Sequence, residues 1–210
     1  MLKHAPLALV ALALIRLDVA ASADSSSLFT VALGTSVGVS RTGDLRADAH
    51  ESVSPSVDLR LRLFRVMGLD VGYSPLTSND PSSTLVYQGP LSLSAVLYLV
   101  PLSSFGLYAK AGVSGADPKD LFTLTADANA YHGGGGLEVY LGEHFAVGAE
   151  FLVLLPGLRS VEKALVADAL RRSALHETSG AAAAADKPLE VGDFVHGGNF
   201  KTSLSLRYFF

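Results

Sequence analysis

The chain predicts an all-β fold: a closed, antiparallel up-and-down barrel of about eight strands, with a short helix inserted before the last one. Three observations predict it. Period-two alternation recurs in segments of roughly ten residues or more. Short joints alternate with long polar stretches, and one phase of the alternation is apolar while the other is small or charged.

The first segment, Leu28 to Ser40, sets Phe29, Val31, Leu33, Val37 and Val39 against Thr30, Gly34, Ser36, Gly38 and Ser40. In the second, Val53, Val57, Leu59, Leu61 and Leu63 alternate with Ser54, Ser56, Asp58, Arg60 and Arg62. The third, Val66 to Ser74, opposes Met67, Leu69, Val71 and Tyr73 to Gly68, Asp70, Gly72 and Ser74. The fourth places Leu91, Leu93, Ala95, Leu97 and Leu99 against Ser92, Ser94, Val96 and Tyr98. The fifth places Phe105, Leu107, Ala109, Ala111 and Val113 against Gly106, Tyr108, Lys110, Gly112 and Ser114. The sixth, Ala128 to Leu141, carries Glu138 and Tyr140 opposite Leu137, Val139 and Leu141. The seventh, Phe145 to Leu155, carries Glu150 opposite Phe145, Val147, Ala149, Phe151, Val153 and Leu155. In the last, Phe200, Thr202, Leu204, Leu206, Tyr208 and Phe210 face away from Lys201, Ser203, Ser205 and Arg207.

Short joints at Phe64-Arg65, Val100 to Ser104 and Gly142 to His144 alternate with long stretches at Arg41 to Ser52, Pro75 to Thr84, Gly115 to Thr125 and Pro156 to His196. Tight turns on one rim and large loops on the other suit a membrane barrel. Within the last loop, Leu158, Val161, Leu165, Ala169 and Leu170 recur at helical spacing, with Arg159, Glu162, Lys163, Asp168, Arg171 and Arg172 between them. A helix from Leu158 to Leu175 is expected there, as a cap over the mouth. The Gly180 to Ala185 run that follows is low in complexity.

Alternation alone does not say which phase faces out. A soluble exterior is covered by long charged side chains, whereas this polar phase is mostly Gly, Ser and Ala, suiting a narrow lumen. Its charges are Asp58, Arg60, Arg62, Asp70, Lys110, Glu138, Glu150, Lys201 and Arg207, five basic and four acidic. One such charge at the bilayer midplane costs roughly 2–4 kcal/mol, so confinement to one phase predicts a lumen in which they pair. The expected fold is therefore transmembrane. Aromatic residues near strand ends would form two girdles, with Phe29, Phe64, Tyr98, Phe105, Phe145 and Phe210 on the turn side and Tyr73, Tyr87, Tyr131 and Phe200 toward the loops.

Composition and targeting agree. Of 210 residues, 49% are apolar and 17% charged, which excludes a disordered chain and fits one domain. Lys3 and His4 precede the apolar run Ala5 to Ile15, and Ala20-Ala21-Ser22-Ala23 supplies small residues for cleavage. Residues 1–23 are expected to be a secretory signal and 24–210 the barrel. Cysteine is absent, which excludes lipoprotein attachment, disulfides and thiolate metal sites. The net charge of −4 becomes −5 when Lys3, Arg16 and Asp18 leave, with 14 basic and 19 acidic residues remaining. Nothing there points to nucleic acid.

The cleavage site Ala21-Ser22-Ala23, the run Tyr131 to Tyr140 (YHGGGGLEVY) and the ending Leu204 to Phe210 (LSLRYFF) together resemble the small bacterial outer-membrane β-barrel family of the OmpA and OmpX membrane domains and the OmpW-type proteins. The resemblance implies an outer-membrane location, lipid and lipopolysaccharide as surroundings, and a monomer. It implies that Leu204, Leu206, Tyr208 and Phe210 form the terminal signal read by the barrel assembly machinery. A peptidoglycan-binding domain like that of full-length OmpA proteins is not expected after Phe210.

No catalytic, cofactor or metal site is expected. His132 shares a face with Glu138, but six residues of strand separate them by about 20 Å, too far for a base and its orienting acid. His144 falls in a turn, His176 in the long loop, and His196 at the start of the last strand, where it could approach His132 across the rim. The YHGGGG run lacks the Gly-Lys-Ser/Thr ending of a phosphate loop, so its glycines are read as relieving crowding. The leading expectation is a non-enzymatic barrel with a filled lumen, serving envelope structure or surface interaction through its loops. A narrow conduit for small or apolar solutes, as OmpW-type resemblance implies, is the alternative. A lipid-modifying enzyme would need His132 or His196 within reach of a Ser or carboxylate, and a soluble lipid-binding barrel would need an apolar cavity.

Overall fold

A computed structural model of the chain describes residues 28–42, 50–75, 85–123, 129–178 and 199–210. The signal segment 1–23, the Gly180 to Ala185 run and His196 lie outside these residues. Eight strands follow in order: β1 (Phe29–Thr42), β2 (His50–Leu63), β3 (Met67–Tyr73), β4 (Leu91–Pro101), β5 (Phe105–Gly115), β6 (Ala130–Leu141), β7 (Phe145–Pro156) and β8 (Phe200–Phe209). Each pairs antiparallel with its neighbours, and β8 returns to β1 with Ala32 opposite Phe209 and Arg41 opposite Phe200, closing the barrel. Closure removes both edges of the sheet.

Alternation fixes the two faces, because successive side chains point to opposite sides of a strand. Val37, Leu59, Val71, Leu97, Leu107, Leu137, Phe151 and Leu206, one from each strand, are exposed on the outside. Arg60 and Glu138 are 0% exposed on the inside. The barrel is thus apolar without and ionic within, the reverse of a water-soluble protein.

The short rim is built by tight turns. Between β2 and β3 the Val66 amide donates to Leu63 O at 3.1 Å, and both central residues, Phe64 and Arg65, have positive φ (49° and 60°). That is the hairpin geometry whose twist matches the strands, made here without glycine. A register shift between Tyr98 and Val100 bulges β4 at Leu99 just before the next turn.

Among the described residues the long rim carries one α-helix, α1 (Leu158–Thr178), reached from β7 through Pro156-Gly157, and a short 3-10 turn at Asp120–Phe122. Gly157 passes so close to the backbone of Asn129 that any side chain would collide with it. Val161, Ala164 and Leu165 pack on a buried cluster of Leu85, Tyr87 and Leu154, of which Leu154 points into the barrel. The helix therefore covers the mouth. Its apolar face differs from the expected one: Leu158 and Leu170 are exposed while Asp168 is buried, holding Arg172 at 2.8 Å and Arg171 at 3.3 Å. The helix residues packed on the cluster are Val161, Ala164 and Leu165, all in its first half.

Candidate functional site

The lumen is the one place where the described residues gather chemistry, and its centre is Glu138. Both carboxylate oxygens of Glu138 are used: Arg60 Nη1 donates to Oε1 at 2.5 Å and Arg207 Nη1 to the same oxygen at 2.6 Å, while the Tyr98 hydroxyl donates to Oε2 at 3.0 Å and the Tyr140 hydroxyl at 3.3 Å. Arg60 turns its other edge to Asp70, donating from Nε at 2.5 Å and Nη2 at 2.6 Å in the two-pronged geometry a guanidinium favours. Lys110 lies 3.3 Å from Asp70 and 3.2 Å from Glu150, whose carboxylate also accepts from the Tyr108 hydroxyl at 3.0 Å. Arg207 Nε reaches Asp58 at 3.0 Å.

Local sequence makes these reaches possible. Gly34 lies opposite both Asp58 on β2 and Arg207 on β8, and a side chain there would stand 2.7 Å from the Asp58 oxygens. A small residue between two long ones lets next-but-one strands meet across the wall. Seven of the nine predicted lumen charges are brought into one connected chain of ion pairs: Asp58, Arg60, Asp70, Lys110, Glu138, Glu150 and Arg207. Arg62 and Lys201 stand outside that chain. Arg62 donates to the Tyr140 hydroxyl at 2.7 Å and to Arg65 O at 3.2 Å, and stacks 4.1 Å over the Tyr98 ring. Lys201 makes no hydrogen bond or ion pair among the described residues.

Aromatic side chains missed by the sequence reading complete the fill. Tyr98 and Tyr87 were expected in the girdles, but both point inward and are buried. Tyr98 shares the phase of Ser92 and Ser94, and Tyr87 is taken up by the cluster under α1. Arg60 lies 4.7 Å over the Tyr108 ring, and the Tyr98 and Tyr108 rings are 5.6 Å apart, so cations and rings alternate across the lumen. The expectation that the inner phase is only small or charged also needs correction. Phe209, the inward residue after Arg207, packs with Ala32, Ala146 and Tyr140 and closes the turn-side end. At the other end Leu152 and Leu154 are inward and buried.

The terminal residues Leu204, Leu206 and Tyr208 are on the exposed outer face, with Tyr208 stacked on His144 and meeting Phe145 and Phe210 edge-on. His144 Nδ1 donates to Phe209 O at 3.1 Å, in the turn as expected. The side chain of His176 lies outside the described residues.

His132 does come within reach of a serine: its Nε2 is 2.8 Å from Ser94 Oγ, both buried. The contact crosses Gly112, which lies between the two strands' residues in register. Between the ion-pair layer and the capped mouth is a cavity of about 60 Å³, and His132 lines it while Ser94 does not. The serine is 2% exposed, and the contact joins two buried side chains of β4 and β6. Among the described residues no cluster of three His, Asp or Glu side chains could hold a metal ion.

No protein-family model matches the chain, and no curated protein is detectably similar to it.

Proposed function

We infer that the protein is a non-enzymatic outer-membrane barrel whose lumen is closed by its own side chains and whose loops and cap helix serve envelope structure or surface interaction. The observation that carries this reading is the inverted distribution of polarity. Apolar side chains are exposed on all eight strands around the whole circumference, a continuous belt far beyond the few hundred Å² that soluble monomers expose. In lipid that belt is at its preferred place, and strands of ten to fourteen residues, β3 excepted with 7, are long enough to cross. Phe29, Phe64 and Phe145, exposed near the turn rim, fit an interfacial girdle.

The filled lumen favours a structural role over conduction. Arg60, Tyr108 and Glu138 have under 2% of their surface exposed, and Phe209 with Tyr140 closes the end beneath them. A solute would have to break a desolvated ionic layer to pass.

Expression with residues 1–23 in place, followed by membrane fractionation and comparison of boiled with unboiled gel mobility, tests the location. A heat-shifted band in the outer-membrane fraction is expected. A soluble periplasmic protein with no shift would overturn the reading. Planar-bilayer recording of the same preparation tests the closed lumen: steady ohmic conductance would make it a channel.

A further inference from the structure

The cavity beneath the cap is lined by Lys201, and the ammonium there has an unusual situation. Lys201 is only 9% exposed, and no hydrogen bond or ion pair reaches it among the described residues. An isolated ammonium removed from water is strongly unfavourable unless something compensates it. The carboxylates on the same cavity are already engaged: Asp58 by Arg207, Asp70 by Arg60 and Lys110, and Glu150 by Lys110 and Tyr108. On the cavity wall itself Lys110, Lys201 and Arg207 face Asp58, Asp70 and Glu150, and of these six only Lys201 has neither a hydrogen bond nor an ion pair among the described residues.

The rest of the wall offers donors. Ser114 Oγ accepts from the Gly89 amide at 3.1 Å, which leaves its own hydroxyl proton to give. Ser92 and Ser203 also line the cavity, and His132 presents the ring edge not held by Ser94. At about 60 Å³ the space takes about four waters, which matches a small oxyanion and excludes an acyl chain or a sugar.

We propose that this cavity is a binding site for a small oxyanion, of phosphate or short-carboxylate size, with Lys201 as its principal cation and Ser92, Ser114, Ser203 and His132 as neutral donors. The proposal does not depend on the membrane location.

The test uses the full barrel refolded in a non-ionic detergent, titrated calorimetrically with inorganic phosphate at pH 6. Gluconate, too large for the cavity, keeps the ionic strength constant. Saturable binding is expected, weakened about tenfold or more in Lys201→Met, as loss of a charge-assisted hydrogen bond requires. Lys119→Met, which removes an exposed lysine, should leave it unchanged. Heat-shifted mobility verifies that each variant is folded. Ser203→Asp is the second variant: it places a built-in carboxylate on the same inner face two residues from Lys201, and should abolish phosphate binding in a folded barrel. No saturable binding up to about 10 mM, or binding equal to the parent in either lumen variant, would overturn the proposal.

Discussion

The two halves of the lumen are made by the same eight strands and are packed in opposite ways. Toward the turns, every charge has several partners: Glu138 alone receives two guanidiniums and two phenols, and Phe209, Ala32, Ala146 and Tyr140 seal the floor. Toward the loops, serines and a cavity replace the rings, and Lys201 makes no hydrogen bond or ion pair among the described residues. In the first half the side chains over-determine one another, and removing one leaves others stranded in a dry medium. In the second half there is slack, which is what a bound molecule needs.

The sharpest way to break this contrast is at its hub. Glu138→Gln removes the charge that Arg60 and Arg207 share, and unfolding of the refolded barrel in urea should show a loss of about 3–5 kcal/mol, the usual penalty for stranding a buried charge. A loss below about 1 kcal/mol would mean that Asp70 and Asp58 suffice for the two arginines. Gly34→Ala should be the next largest. Its added carbon would meet the Asp58 carboxylate at 2.7 Å, pushing it away from Arg207, for a loss of about 1–3 kcal/mol in the same assay.

On the loop side, Val161→Asp with Leu165→Asp puts charges against Leu85, Tyr87 and Leu154. Tryptic cleavage at Arg171 and Arg172 should become faster while the heat-shifted barrel band persists. If the band is lost instead, the cap is integral to the barrel. Lys201→Met should be the mildest of the lumen changes, neutral or stabilising by up to about 1 kcal/mol, since it deletes a charge the lumen does not pair. A loss as large as that of Glu138→Gln would erase the distinction between the halves. Of similar size, and outside the lumen, Phe64→Asn with Arg65→Gly relieves two positive-φ residues in the β2–β3 turn, and should raise stability by about 1 kcal/mol.

Strand positions were legible in the sequence because period-two alternation is a local property. Residues 53 to 63 carry two serines and three charges on one phase and Val53, Val57, Leu59, Leu61 and Leu63 on the other, which reads as a strand. The identity of the lumen charges was legible for the same reason. Which charge meets which was not, since Arg207 and Asp58 are 149 residues apart and meet only through the register of β8, β1 and β2. Tyr98 was assigned to the girdle from its place near a strand end, although its phase with Ser92 and Ser94 already pointed inward. The Ser94–His132 contact required the register across Gly112. On α1 the helical spacing marked Leu158 and Leu170 as apolar-face residues, yet both are exposed and Asp168 is buried, because the cluster beneath it meets Val161, Ala164 and Leu165.

The position of Arg207 on the final strand has a consequence for the order of assembly. Until β8 has joined the sheet, Asp58 has no cation from that strand, Glu138 holds one guanidinium in place of two, and Phe209 is absent from the floor. An open, seven-stranded intermediate would then expose an unbalanced acidic interior. Joining of the first and last strands therefore brings Asp58 its cation, and the barrel is completed by contacts that span most of the chain.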